Sequence, residues 1–285
     1  MKKILILLTV GLFVFAACSH GNNPGGSKGA GTYIGTKTPE EAKAVGDIVF
    51  NDGSAIPYTD ELTLTDAQKA AAIAIIFYKG TGLNSGDDTT TSRTLGVGLK
   101  QDKQNLVWCK SSAQAHDKEI ATIVCYYDSD TGVPTFTGDK NGSDNLEQIE
   151  EVDGIDDTTG AGANERYPAF YFGKNYKETE SRIISGSEFE KGWFLPTIAE
   201  LFQINACIKD SENGFDLNAA SKLCGGDEFV EGIIYYWSSN QWHNVEAKDC
   251  ACGFLFQNKY WFCPDHKSCN DGASQKGFAC AIREF

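Results

Sequence analysis

The stretch Gly192-Trp193-Phe194-Leu195-Pro196-Thr197, with Glu200 three residues beyond the threonine, constrains the fold more than any other part of the chain. Proline lacks an N–H and disfavours helical geometry in the residue before it, so it marks a boundary between an extended segment and a new element. Thr197 and Glu200 have the spacing of a capping box, in which hydroxyl and carboxylate each satisfy a backbone N–H of the first helical turn. Ile198, Leu201, Phe202 and Ile208 recur at helical spacing, so a helix starts here and lays an apolar face on a core. Trp193, with Trp237 later in the chain, is expected inside that core.

Around this helix the sequence alternates strand and turn signals. Val45–Phe50 followed by Asn51-Asp52-Gly53 reads as a strand ending in a tight turn. Thr65 and Gln68 form a second capping-box pair, and Ala72–Tyr78 is β-branched and aromatic enough for a buried strand. Leu95–Leu99 and Leu106–Cys109 read as two short strands. Asp128–Asn164 is acidic and rich in Gly, Thr and Asp, so it reads as a long surface excursion. Asp139–Glu150 places oxygen ligands at offsets resembling a calcium loop, but Asp144 occupies the position where the sharp turn needs glycine, which favours a solvated acidic loop. Tyr167–Tyr176 carries helical signals, and Asp216–Leu223 reads as a short helix ended by Gly225-Gly226. Strands return at Ile233–Ser238, Cys252–Phe256, Tyr260–Phe262 and Gly277–Arg283. Helices between two strand-rich ends indicate an α+β fold, with one domain over 33–285.

The first residues bear on the compartment. Two lysines, an apolar run from Ile4 to Ala17 and then Cys18 have the layout of a secretory signal. The run is shorter than the roughly 20 apolar residues that span a bilayer. Phe15-Ala16-Ala17-Cys18 resembles a bacterial lipobox, which implies a signal peptide over 1–17, lipid on Cys18 and a protein held at the cell envelope, on its outer surface. Residues 18–32, rich in Gly, Asn and Ser, read as a flexible tether. The formal charge of −14 has the wrong sign for a surface that neutralises phosphates, which argues against a nucleic-acid partner.

Gly46-Asp47-Ile48-Val49, the Gly192–Glu200 motif, Tyr236-Trp237-Ser238-Ser239 and Ala281-Ile282-Arg283-Glu284-Phe285 together resemble C-type lectin-like folds of the formylglycine-generating-enzyme subtype. More narrowly, they resemble the variable lipoproteins of spirochaete diversity-generating retroelements. The likeness spans nearly all of 45–285. It implies a C-terminal segment, about 240–271, diversified by mutagenesis of adenines, mostly in AAY codons. Asn240, His243, Asn244, Cys250, Asn258, Tyr260, Phe262, Cys263, Asp265, His266, Ser268, Cys269, Asn270 and Asp271 are all attainable that way, whereas Trp242 and Trp261 are not AAY products. These positions, with Trp242, are the candidate ligand-binding residues.

The composition of that segment points the same way. Rings mixed with His and small polar residues resemble antibody paratopes, where rigid aromatics give contact area at low entropic cost. The expected partner is a protein or other cell-surface ligand, bound non-covalently by a monomer. An ordinary sheet whose rings point inward is the competing reading, and Phe254 and Phe256 suit that inward role. Cys250, Cys252, Cys263, His266 and Cys269 could hold zinc, but Cys-x-Cys is not the usual paired knuckle, and no metal or cofactor is expected. With Cys18 lipidated, an odd number of cysteines remains, so they cannot all pair within the chain. Cys109, Cys125 and Cys207 lie in apolar stretches as candidate buried thiols, and Cys250–Cys252 or Cys263–Cys269 are possible bridges. Ser238 and Ser239 lack an Asp/His pattern and are expected to bond strand ends, and Arg283 to meet an acidic neighbour. No catalytic residues are assigned. A structural envelope lipoprotein and a formylglycine-generating-like oxidase remain the alternatives.

Overall fold

Ala72–Gly80 shows how the sheet is built. Its first six residues are all buried, the pattern of a strand covered on both faces. The computed structural model describes residues 33–85, 88–128, 134–151, 166–179, 184–208, 215–232, 234–243, 248–256, 261–268 and 277–285, and of 261–265 the backbone alone. Within them the strands are β1 (Asp47–Phe50), β2 (Ala55–Pro57), β3 (Ala72–Gly80), β4 (Arg93–Leu106), β5 (Cys125–Asp128), β6 (Thr135–Gly138), β7 (Trp193–Phe194), β8 (Tyr236–Gln241), β9 (Cys250–Leu255), β10 (Trp261–His266) and β11 (Gly277–Glu284). The helices are α1 (Asp66–Ala71), α2 (Asn145–Glu151), α3 (Pro168–Lys174), α4 (Tyr176–Thr179), α5 (Ile198–Ile208) and α6 (Leu217–Leu223). The fold is α+β.

Among the described residues one sheet runs in the order β10-β9-β8-β11-β4-β3-β1-β2, and β5 and β6 form a separate hairpin. β11 is its pivot. One edge pairs antiparallel with β4, and the other meets β8 in parallel at Phe278↔Tyr236 and β7 antiparallel at Ile282↔Phe194. Contacts gather Tyr33–Phe285 into a single unit.

Each face of the sheet has its own apolar layer. On one, Ile198, Leu201, Ile204 and Ile208 of α5 and Leu217 of α6 pack with Ile75, Phe77, Phe254, Phe256 and Ile282. On the other, Trp108, Tyr167, Phe170, Tyr235 and Trp237 form one cluster, and Tyr176, Trp193, Ile73 and Ala281 another. Trp193 and Trp237 are thus core residues, and truncating rings so buried costs about 3–5 kcal/mol. Gly192 holds φ at 85°, a conformation a side chain would strain, and this turn delivers Trp193 inward.

Several elements differ from the sequence expectation for identifiable reasons. The expected second strand over Leu106–Cys109 does not form, and Leu95–Leu99 lies within β4, one strand of fourteen residues that ends at Leu106. Its polar middle stays ordered because the segment after α6 braces it, Gln101 N donating to Asp227 Oδ2 (3.0 Å) and Asp227 N to Leu99 O (2.7 Å). The Asp128–Asn164 excursion is not wholly irregular, since β6 and α2 fall within it. Strand β8 starts later than Ile233 and runs on to Gln241, because the polar residues after Trp237 find buried partners.

Candidate functional site

The first part of the candidate segment is scaffold. Ser238, Ser239, Asn240 and Gln241 are all fully buried, an unusual run of polar side chains inside a fold, and each is hydrogen-bonded. Ser238 Oγ donates to Cys252 O inside β9 (2.9 Å), and Ser239 Oγ accepts from Asn145 Nδ2 at the start of α2 (2.8 Å), so neither hydroxyl goes to a strand end as expected. Gln241 accepts from Ile120 N (2.8 Å) and donates to Lys118 O and Lys248 O. Asn240 corrects the sequence reading. Its Oδ1 accepts from Ile198 N (2.8 Å) at the start of α5, while Nδ2 donates to Ile123 O (3.0 Å) and Asp139 Oδ2 (2.9 Å). Asn240 is a cross-brace beneath the surface and presents nothing to a ligand.

This brace joins the capping box of α5. Glu200 Oε2 accepts from Thr197 N (2.8 Å) and Thr197 Oγ1 accepts from Glu200 N (3.2 Å), with Arg93 Nη1 on Glu200 Oε1 at 3.1 Å. Asp139 Oδ2 accepts from Asn145 Nδ2 (2.7 Å) and Oδ1 from Asn141 N (3.1 Å) and Ser85 Oγ (3.1 Å). Burial pushes Asp139 up to about 6 against these bonds, and it pushes Glu200 up to about 7 despite Arg93. The candidate calcium loop therefore dissolves: Asp139 is 5% exposed and its oxygens are occupied, and the residues after it fold into a 3-10 turn and α2.

Beyond Gln241 the chain reaches a rim. Trp242 is half-buried, packed against the core, and its ring lies 6.0 Å from that of Tyr127. The His243 side chain is 41% exposed, stacks edgewise on Tyr126 at 5.3 Å and meets Glu119 Oε1 through Nδ1 at 3.1 Å. Tyr126 is itself exposed. Sequence reasoning misses Tyr126 and Tyr127, which lie at the approach to an acidic stretch. The available signal is their adjacency to Cys125 in a short alternating run.

The far end of the segment is built on the β9–β10 ladder, whose register sets His266 opposite Cys250 and Cys263 opposite Gly253. His266 is well exposed and its Nδ1 lies 2.5 Å from Asp249 Oδ2. Cys250 and Ser268 are buried, which corrects their expected place on an outward surface. Ser268 Oγ meets His116 Nε2 at 3.0 Å. Next to it Lys267 is fully buried, donating to Ala115 O (2.8 Å), Lys118 O (3.0 Å) and His116 O (3.2 Å) with Nζ 5.0 Å from the Trp108 ring, and burial pulls its pKa down to about 8. Asn244, Asn258, Tyr260, Cys269, Asn270 and Asp271 lie outside the described residues, as do Cys18 and the whole leader and tether. Phe262, Cys263 and Asp265 are placed on β10 by their backbone only.

Cys109, Cys125 and Cys207 are buried as expected, and Cys250 and Cys252 do not bridge. Burial pushes the Cys125 and Cys224 thiols up to about 12, leaving them without nucleophilic character near neutrality. Arg283 departs from expectation: its donors go to the backbone oxygens of Lys191, Glu188 and Glu284, and its guanidinium lies over the Phe189 and Phe285 rings. Among the described residues no helix is long and apolar enough to cross a membrane. Comparison of the chain with protein-family models, with curated proteins and with solved structures returns no match.

Proposed function

We propose that this protein is a lipid-anchored surface lipoprotein that binds a protein or other cell-surface ligand non-covalently, through a diversified C-terminal segment on a C-type lectin-like scaffold. The observation that carries the reading is the rim where Trp242 and His243 meet Tyr127 and Tyr126, directly beyond the braced run Ser238–Gln241. Rigid rings over a fixed base can change partner by changing side chains without reorganising the backbone, which keeps the entropic cost of binding low. The finer fold assignment rests on the Gly192–Glu200 motif acting as a hub, since its capping box and Asn240 tie α5 to β8.

The reading narrows the candidate set. Trp242, His243 and His266 are the candidate positions with described side chains near solvent, joined by Tyr126 from the hairpin, whereas Asn240, Cys250 and Ser268 belong to the scaffold. Binding proceeds without catalytic turnover, and the chain acts as a monomer held at the envelope by lipid on Cys18.

The flanking DNA tests this. The expected finding is a near-identical template repeat with adenines aligned to the codons of His243 and His266, beside a reverse transcriptase gene. Sibling genes identical throughout 242–271, with no such repeat, would return the protein to the structural-lipoprotein reading.

A further inference from the structure

Strand register brings a thiol, an imidazole and a carboxylate together at one end of the β9–β10 ladder. Cys250 and His266 are directly opposed, and side chains so opposed share a face of the sheet with Cβ atoms about 5 Å apart. Asp249 precedes Cys250, and its carbonyl is held by Lys267 N at 2.7 Å, which fixes the turn of chain carrying its carboxylate. Asp249 Oδ2 lies 2.5 Å from His266 Nδ1, Asp249 Oδ1 lies 4.0 Å from Cys250 Sγ, and one ligand atom from each of the three residues falls within 4.8 Å of the others.

We propose that Asp249, Cys250 and His266 form a binding site for a divalent transition-metal ion of the zinc class. Bonds of about 2.0–2.3 Å to oxygen, nitrogen and sulfur require ligand atoms roughly 3.5 Å apart. Rotation of the exposed His266 side chain, with a small opening of its contact to Asp249, meets that spacing. A hard cation such as calcium or magnesium is a poor fit because two of the three donors are nitrogen and sulfur. Three protein ligands leave a fourth position, and the 66% and 30% exposure of the His266 and Asp249 side chains turns that position towards solvent. The site is therefore of the open kind, able to take a donor group from an incoming ligand. Cys252, two residues along the same face, is not part of the group and lies in the core.

The test uses the purified full chain, reduced, freed of metal by a chelator and titrated with zinc against a competing indicator, with cobalt as the spectroscopic probe. About one zinc per chain is expected, with a sulfur-to-cobalt charge-transfer band in the near ultraviolet. Cys250→Ser abolishes the band, and Cys250→Ser and His266→Ala each weaken zinc binding at least about 100-fold. His266→Ala alters a well-exposed side chain and keeps the native circular dichroism, so its loss of affinity is read on a folded protein. Glu147→Gln, at an exposed carboxylate paired with Lys174, leaves affinity unchanged. Zinc that fails to bind at micromolar concentration, or that binds equally to the wild type and His266→Ala, overturns the proposal. So does a cobalt complex without a thiolate band.

Discussion

Replacing Asn240 with alanine separates a cross-brace from a ligand contact more sharply than any other single change. The side chain holds Ile198 N through Oδ1 at 2.8 Å, and Ile123 O and Asp139 Oδ2 through Nδ2 at 3.0 and 2.9 Å. Asn240 and Ile198 are both fully buried, so water cannot take over when the amide is lost. Each buried group left without a partner costs about 1–3 kcal/mol, and more where the group carries charge, as Asp139 does when ionised. Asp139 keeps its bonds from Asn145, Asn141 and Ser85, which limits its share. The Ile198 amide and Ile123 carbonyl keep less, and a small cavity adds to both. The sum is a loss of about 3–5 kcal/mol. With a urea slope of about 3 kcal/mol per molar, the unfolding midpoint falls by about 1–1.7 M. Asn240→Asp, a single adenine change in an AAY codon, sets a second carboxylate beside Asp139 and should cost at least as much at pH 8, with part of the loss recovered at pH 5. Urea unfolding monitored by tryptophan fluorescence reads both variants. An Asn240→Ala protein within about 0.5 kcal/mol of wild type, the range of an ordinary surface substitution, would refute the brace.

Other perturbations probe the same architecture. Glu200 and Asp139 have folded pKa values raised to about 7 and about 6, so their contribution to stability is complete below their unfolded values near 4 and is lost as pH rises through 6 to 7. Urea midpoints are therefore expected to be higher at pH 5 than at pH 8, with a shallower slope in Glu200→Gln. An equal slope in that variant would place the effect elsewhere. Lys267→Met should lower stability by about 1–3 kcal/mol, since it removes the Nζ donor from three backbone carbonyls of which Lys118 O keeps Gln241 Nε2 and Ala115 O keeps Lys118 N, and hydrogen exchange should show the 115–118 segment opening first. Retained protection there would show that the lysine is dispensable. Tyr126→Ala, at an exposed ring, should shift stability by less than about 0.5 kcal/mol, and a larger loss in thermal unfolding would mark the rim as core. Cys18→Ala should abolish palmitate labelling of the cell-bound protein, and labelling that persists would remove the lipid from that residue.

How much of the molecule is legible in its sequence depends on the range of each interaction. The capping boxes at Thr65 and Thr197 are local, complete within four residues, and both form as the spacing predicts. Inward rings such as Trp193, Trp237, Phe254 and Phe256 are readable because large apolar side chains have one favourable destination. The polar residues mislead. Asn240 and Ser268 have the composition of a binding surface, yet their partners, Asp139 and His116, come from distant parts of the chain that no spacing rule connects. Lys267 escapes notice for the same reason, since the carbonyls it holds, of Ala115, His116 and Lys118, lie far back in the chain. The continuous β4 is likewise invisible, because Gln101 and Asp102 are held by Asp227 and by β11.

The position of β11 bears on how the protein is made. Its eight residues occupy the middle of the sheet and join β4, synthesised long before, to β8 and β7. Such pairing is non-local and slow to form, and until it closes, the strands on either side present unpaired edges. The chain therefore emerges with its central seam open, and residues 242–271 are synthesised before the strand that completes the fold. Whatever residues occupy 242–271, β8 must already stand in place on one side and β11 must still dock on the other. Docking of β11 thus closes the sheet only over an intervening segment that leaves β8 and β4 within its reach, so the last strand is a check on everything made before it.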